Sequence, residues 1–177
     1  QAGLLGVGYA EEYGGTERTG EAPVADHFFR IVSGEEFARA GTGGLSASLF
    51  SHTIGAPPIA AVGSEELKRR VLPAILAGEK ISALAITEPS GGSDVASLRT
   101  SARKDKDEYI VNGEKTFITS GMRADYYTVA VRTGGPGAAG VSLLLIERDR
   151  AGFTRVPLAK MGWWCSDTAS LHFADVR

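Results

Sequence analysis

Residues 81–94 read ISALAITEPSGGSD. The run ISALAIT is β-type and leads straight into Glu88-Pro89, then Ser90-Gly91-Gly92-Ser93-Asp94. A plain turn needs fewer special residues. Two adjacent glycines open backbone conformations closed to other residues and let a ligand approach the main chain. Flanking hydroxyls and freed N–H groups suit an anion such as a phosphate. The stretch reads as a strand end followed by a binding loop, and the character of the chain differs on its two sides.

Before it, the pattern is helical. HFFRIVSGEEFARAG (27–41) sets Phe28, Ile31, Val32, Phe37 and Ala38 near helical spacing, and GLSASLFSHTIG (44–55) puts Leu45, Leu49 and Phe50 on one side. Ser64 is an N-cap with Glu65 and Glu66 in the first turn. Leu67 and Val71 share a face, and Glu66 reaches Arg70 one turn on. Pro73 is expected to begin a new short turn that stops at Gly78.

After it, β patterns dominate. DEYIVNGEKTFIT (107–119) holds Asn112-Gly113 between two β-prone runs, a hairpin signal. DYYTVAVR, VSLLLIE, GFTRVPL and TASLHFADVR follow as strands, with TGGPGAAG (133–140) as a loop between two of them. The expected fold class is α+β. A partial helical domain spans 1–80, and an antiparallel, barrel-like two-sheet β domain with ligand-binding loops spans 81–177.

Composition fits a soluble globular protein: 177 residues, 43% hydrophobic and 23% charged. A net charge of -2, from 19 basic and 21 acidic residues, argues against nucleic-acid and anionic-membrane partners. No apolar run approaches a membrane span. The one cysteine, Cys165, permits no intrachain disulfide and fits a reducing compartment. A cytoplasmic, bacterial-type location is expected. The chain opens on QAGLLGVG without Met and is read as a processed or cut piece, which leaves a mitochondrial origin open.

Several motifs are missing. There is no G-x-G-x-x-G after a strand, no P-loop and no G-x-S-x-G elbow. His27, His52 and His172 lack metal-ligand spacing and read as surface or packing residues. Cys165, in MGWWCSDT, reads as a small, partly buried residue beside two tryptophans. Glu11-Glu12 and Glu35-Glu36 read as solvated positions. Glu88 and Asp94 flank the loop. Either can be a base near a ligand, but Pro89 biases Glu88 to extended backbone and Asp94 can cap the next segment.

ALAITEPSGGSDV (83–95) followed by YIVNGEKTFITSGMRAD (109–125) resembles the acyl-CoA dehydrogenase family. The family patterns are T-E-P-x-[AG]-G-S-D and then N-G-x-K-x-[WF]-I-T-[NS]-G. YAEEYGG, GSEELKRRVLPAILAGEK and KMGWWCSDTASLHFADVR also resemble family segments, in order, with Ala10 where the family has Pro. The resemblance implies FAD as cofactor and oxidation of an acyl-CoA thioester to the trans-2-enoyl-CoA. It implies Leu84, Ile86 and Thr87 near the flavin pyrimidine side, and Ser93 at the pyrophosphate and the substrate's pantetheine arm. Phe117, Ile118 and Thr119 would flank the ring, with Thr119 near flavin N5. Phe117 stands where the family usually has Trp, keeping a stacking surface but losing the indole N–H.

The resemblance further implies an electron-transfer flavoprotein as acceptor and a homo-oligomer, a homotetramer in the first instance. The family's catalytic glutamate lies in a C-terminal helical domain that this chain does not contain. No catalytic residue is therefore expected here, and the chain alone is expected to be inactive. Three alternatives stay open: an acyl-CoA oxidase on the same scaffold, a relative turned to nucleic-acid protection, and a non-catalytic flavin or CoA module. An ungapped register with the family sets Phe50 near the end of the acyl tunnel.

Overall fold

The structure is a computed structural model that describes residues 4–16, 27–41 and 43–177. Helices α1 (His27–Arg39), α2 (Gly43–Leu49), α3 (His52–Gly55), α4 (Pro57–Val62) and α5 (Glu65–Leu76) come first. Strands β1 (Ser82–Ala85), β2 (Ser101–Asp105), β3 (Glu108–Thr119), β4 (Tyr126–Arg132), β5 (Val141–Glu147), β6 (Phe153–Pro157) and β7 (Thr168–Val176) follow.

Helix α5 carries the helical core. The Ser64 side chain accepts from Leu67 N at 3.2 Å, and Val71, Leu72, Ile75 and Leu76 are buried. They pack with Tyr13, Ala56 and Ile59, and Tyr126 and Leu145 of the sheet lean on the cluster. Pro73 does not start a new turn: it lies inside α5. The missing N–H costs one helical bond, but burial of Ile75 and Leu76 beyond it holds the helix together. Gly78 ends the helix as expected, at φ 76°. Arg70 pairs across to Glu147 on β5, so the helix is tied to the sheet. Helix α1 forms where its periodicity predicts, yet Phe28, Ile31 and Val32 are exposed. The side chain of His27 lies outside the described residues.

The β region forms one curled, seven-stranded sheet in the order β1-β4-β2-β3-β7-β6, with β5 also on β4. The expected barrel-like β domain after the helices is borne out; in detail it is one mixed sheet rather than two antiparallel ones. β1 runs parallel to β4, and β2 joins β4 through a parallel bridge. The parallel step arises because the chain between β1 and β4 is occupied by the loop and the β2–β3 hairpin. The sheet core is apolar and dense: Ala83, Ala85, Tyr127, Val129, Val131 and Leu171 are each fully enclosed.

Helix α3 sits directly on β1. A Cβ at Gly55 would lie 2.4 Å from Ser82 Oγ, and Thr128 Oγ1 donates to Gly55 O at 2.9 Å. The helices and the sheet thereby share one contact surface.

Asn112-Gly113 is not a hairpin turn. β3 runs through it, and the turn lies at Lys106-Asp107, with Lys106 at φ 58°. The dipeptide instead marks a bulge against β7, where the register shifts between Val111 and Gly113. A bulge and a tight turn both call for a residue at positive φ, so the same signal serves either. Gly113 has φ 140°, and a Cβ there would sit 2.7 Å from Thr100 Cα. Gly113→Ala is therefore expected to cost about 2–4 kcal/mol, from backbone strain plus overpacking. Urea denaturation monitored by tryptophan fluorescence measures the loss.

Candidate functional site

The loop after β1 is fixed from within. Glu88 is buried, 5% exposed, and its carboxylate accepts from Arg99 N at 2.7 Å, Thr100 N at 2.8 Å and Lys115 Nζ at 2.9 Å. Lys115 is fully buried and also donates to Ile86 O at 2.9 Å. Thr116 N donates to Thr87 O at 2.8 Å. Glu88 and Gly91 exchange both backbone bonds at 3.0 Å, which closes a tight turn over Pro89-Ser90. Gly91, Gly92, Ser93 and Asp94 are left exposed at the tip.

Glu88 is no base. Burial alone would raise its pKa, but the Lys115 ammonium and the N–H groups of Arg99 and Thr100 outweigh it and hold the carboxyl at about 2. Burial pulls the Lys115 pKa down, against the Glu88 carboxylate. Asp94 makes no side-chain cap. Its carbonyl accepts from Ser97 N, but its carboxylate stays in solvent.

Phe117 is the unusual residue of β3. It has φ 59°, it lies where the register against β7 shifts between Lys115 and Ile118, and it is 69% exposed. Bulky side chains rarely adopt that backbone region, at a cost of about 1–3 kcal/mol. The bulge turns Lys115, Thr116 and Ile118 inward together and drives the Phe117 ring out. Ser120, at φ 59°, is buried with its hydroxyl unbonded.

Of the residues predicted for the site, Thr87 lies beside the bulge through the Thr116–Thr87 bond. A Cβ at Gly92 would be 3.2 Å from Thr87 Cγ2, so the loop folds back over Thr87 and carries Ser93 with it. Leu84 and Ile86 are half-buried along the same strand run, and Thr119 is half-buried on β3. Ile118 differs: the residue is 2% exposed, belongs to the sheet core, and has its carbonyl taken by Gly121 N at 3.0 Å, so it is enclosed in this structure.

A second apolar element stands nearby. The 158–167 loop is drawn together by Lys160 Nζ, which donates to Trp163 O and Ser166 O. Asp167 takes Met122 N at 2.7 Å and Arg123 Nε at 2.5 Å. Met161, Trp163 and Trp164 are exposed at its tip. Cys165 is exposed too, which corrects its reading as a partly buried residue. The backbone ties of the loop leave the thiol at the surface.

His52 is a packing histidine, buried with Nε2 3.2 Å from Leu5 O and its pKa lowered by that burial. His172 pairs with Glu114 at 3.4 Å on the sheet surface. Among the described residues, no group of His, Cys, Asp and Glu can hold a metal, and no helix is long and apolar enough to cross a membrane.

Sequence reasoning missed Lys115. A lysine inside a β-prone run, two residues before an aromatic, signals an inward charge that needs a buried partner.

A strand-anchored loop and an outward-forced aromatic stand together on an α+β fold. The comparisons make the class specific. The model of the acyl-CoA dehydrogenase N-terminal domain matches residues 1–79, and that of the acyl-CoA dehydrogenase middle domain matches residues 83–176. The chain is 43% identical to acyl-CoA dehydrogenase apdG of Emericella nidulans over 86% of this chain and 36% of that protein. A crystal structure of a probable acyl-CoA dehydrogenase from Mycobacterium abscessus superposes with a TM-score of 0.91 at 51% identity, covering 99% of this chain and 45% of that one. An acyl-CoA dehydrogenase from Bacillus anthracis, complexed with FAD, gives 0.83 at 37% identity over 98% of this chain and 29% of its own. The chain belongs to the acyl-CoA dehydrogenase family. It spans less than half the length of these relatives.

The pH response follows from Glu88. Its folded pKa of about 2 lies below the ordinary carboxylate value of about 4.3. Its stabilisation is therefore present above the unfolded value and is lost as pH falls through the folded one. Acid unfolding should steepen between about pH 4 and pH 2, and Glu88→Gln should flatten that segment. Lys115→Met, which strands the carboxylate, should cost about 3–5 kcal/mol at pH 7 by urea denaturation.

Proposed function

We propose that this chain forms the helical and β walls of an FAD-dependent acyl-CoA dehydrogenase that oxidises acyl-CoA to trans-2-enoyl-CoA. The observation that carries the reading is Phe117. A bulky ring held outward by a strained bulge, beside a loop anchored by a buried ion pair, is the feature expected of a preorganised binding wall.

The chain's residues fit a flavin. Phe117 offers a stacking face. The Thr87 and Thr119 hydroxyls flank it, Leu84 and Ile86 supply apolar contact, and Ser93 with the Gly91-Gly92 backbone suits a pyrophosphate. Ile118 lies in the sheet core behind the bulge and supports the wall from within. FAD, when bound, supplies the hydride acceptor; the protein supplies position and polarity.

The α-proton must go to a base. Glu88 is committed to Lys115 and two backbone N–H groups, so it stays ionised and enclosed and does not serve. The base is then a glutamate of a helical domain outside this chain, as in the family pattern. An electron-transfer flavoprotein as acceptor and a homo-oligomeric assembly belong to the same reading.

The test is anaerobic addition of saturated acyl-CoAs of graded length to the whole protein loaded with FAD. Loss of the flavin absorbance is expected, and no loss with any thioester would sink the reading. Rapid peroxide formation in air would instead favour an oxidase. Phe117→Ala should weaken FAD binding by up to roughly tenfold, the worth of an aromatic contact, while the fold's melting point stays level or rises.

Substrate length has a local determinant. A groove of about 860 Å³ runs between the helices and the tip of the 158–167 loop, and Phe37 and Phe50 meet there edge to face at 4.8 Å between ring centres. Phe50 shortens the space open to an acyl chain. Phe50→Ala should move the kcat/KM optimum toward longer chains, and an unchanged optimum would remove Phe50 from that role.

A further inference from the structure

Helix α2 is held by ties to the β region rather than by a core of its own. Leu45 and Leu49 are exposed, and among the described residues no α2 side chain belongs to the helical or the sheet cluster. Gly44 is buried, and Ser46, Ala47 and Ser48 are half-buried, so its inward side is made of small residues. A helix of seven residues is marginal without packing. Two contacts supply what the core does not. At its start, a Cβ on Gly43 would lie 3.3 Å from the Trp163 ring, and one on Gly44 would lie 3.0 Å from Trp163 Cα and Cys165 Sγ. At its end, Arg123 Nη2 donates to Ser48 Oγ at 2.6 Å, across 75 positions of sequence.

The other end of Arg123 is fixed. It lies in the turn after β3, where Asp167 accepts Ser120 N on its carbonyl at 3.0 Å, Met122 N on one carboxylate oxygen at 2.7 Å and Arg123 Nε on the other at 2.5 Å. A guanidinium is a planar fork, so the bond at Nε sets the direction of Nη2. A rigid cation thus joins the β region to α2. Ser46 and Ala47, beside Ser48, line the groove of about 860 Å³. Phe50 continues the helix, with its N–H on Ser46 O at 3.0 Å and its ring against Phe37. A shift of α2 therefore carries the Phe50 ring with it.

We infer that Arg123 is a positioning residue for acyl-chain length: through Ser48 it fixes α2, and through α2 it fixes the Phe50 end of the groove. This rests on the acyl-CoA reading. Neither Arg123 nor Ser48 lines the groove, so neither selects by touching the chain. With the strut cut, α2 gains play and the groove can lengthen, which favours long chains and does nothing for short ones.

The experiment uses the whole protein loaded with FAD. It reads kcat and KM for acyl-CoAs of graded length, calorimetric Kd values for the matching enoyl-CoAs, and amide hydrogen exchange of residues 43–50. Ser48→Ala removes the hydroxyl, and alanine is the better helix former, so the fold should hold. The ratio of long-chain to short-chain kcat/KM should rise about fivefold, mainly through KM, and exchange across 43–50 should quicken by a similar factor, on the scale of one partly exposed charge-assisted bond. The Kd values should shift toward long chains in the same way. Ser48→Thr keeps the hydroxyl and should keep the wild-type profile. Arg123→Lys should resemble Ser48→Ala, because the point charge of an ammonium cannot span Asp167 and Ser48. In a Phe50→Ala background, Ser48→Ala should leave the length profile where it is.

An unchanged profile in Ser48→Ala, or an equal loss at every chain length, would overturn the inference. Wild-type behaviour in Arg123→Lys would overturn the strut, and full additivity with Phe50→Ala would overturn its action through that ring. If no acyl-CoA reduces the flavin, the activity reading fails on its own. Faster exchange across 43–50 with a length shift in the Kd values would then still uphold the strut, and level values would overturn it.

Discussion

The buried pair between Glu88 and Lys115 is the constraint on which the rest depends. Neither charge is tolerable alone in that interior. Together they require the end of β1, the middle of β3 and the start of β2 to meet at one point, because the remaining bonds go to Ile86 O, Arg99 N and Thr100 N. Apolar residues of similar volume would fill the space. They would not dictate which backbone groups converge, and here the directional bonds set the geometry of the loop. A residue that seems a candidate base from its neighbourhood is therefore part of the frame, and its low pKa records that commitment.

Strand-end, bulge and loop act in series. The pair fixes β3 at Lys115. The register slips immediately beyond it, and the slip sends Phe117 outward. On the far side of the loop, Arg132 repeats the device with opposite charge, a cation on carbonyls where Glu88 is an anion on N–H groups. Residues between two such grips lose freedom before any ligand arrives. That lowers the ordering cost of binding.

Much of this was legible in the sequence, in the parts governed by short-range pattern. The helical onset at Ser64, the stop at Gly78 and the change of character at Ile81 follow from caps and periodicity, and they held. The loop motif marked the tight turn that closes after β1 through Glu88 and Gly91. What was not legible depended on partners distant in the chain. Asn112-Gly113 gives the same local signal for a hairpin as for a bulge, and only pairing with β7 distinguishes them. Pro73 ends a helix by local rules, yet the burial of Ile75 and Leu76 carries α5 past it. Parallel pairing of β1 with β4 depends on a crossover of some forty residues. Glu88 could not be told from a base without knowing that Lys115, 27 positions on, lies against it. The inward turn of the Ile118 side chain follows from the bulge and was hidden for the same reason.

In the proposed reading, the left-handed backbone at Phe117 sets folding and binding against each other at a single residue. Glycine there would relax the main chain and remove an exposed ring, so a variant chosen for solubility or heat resistance alone would drift toward it. Such a variant would look improved by every measure made without ligand. The wall would be gone. Stabilisation screens on this scaffold therefore reward the loss of what makes it useful, unless the bound form is the one being screened.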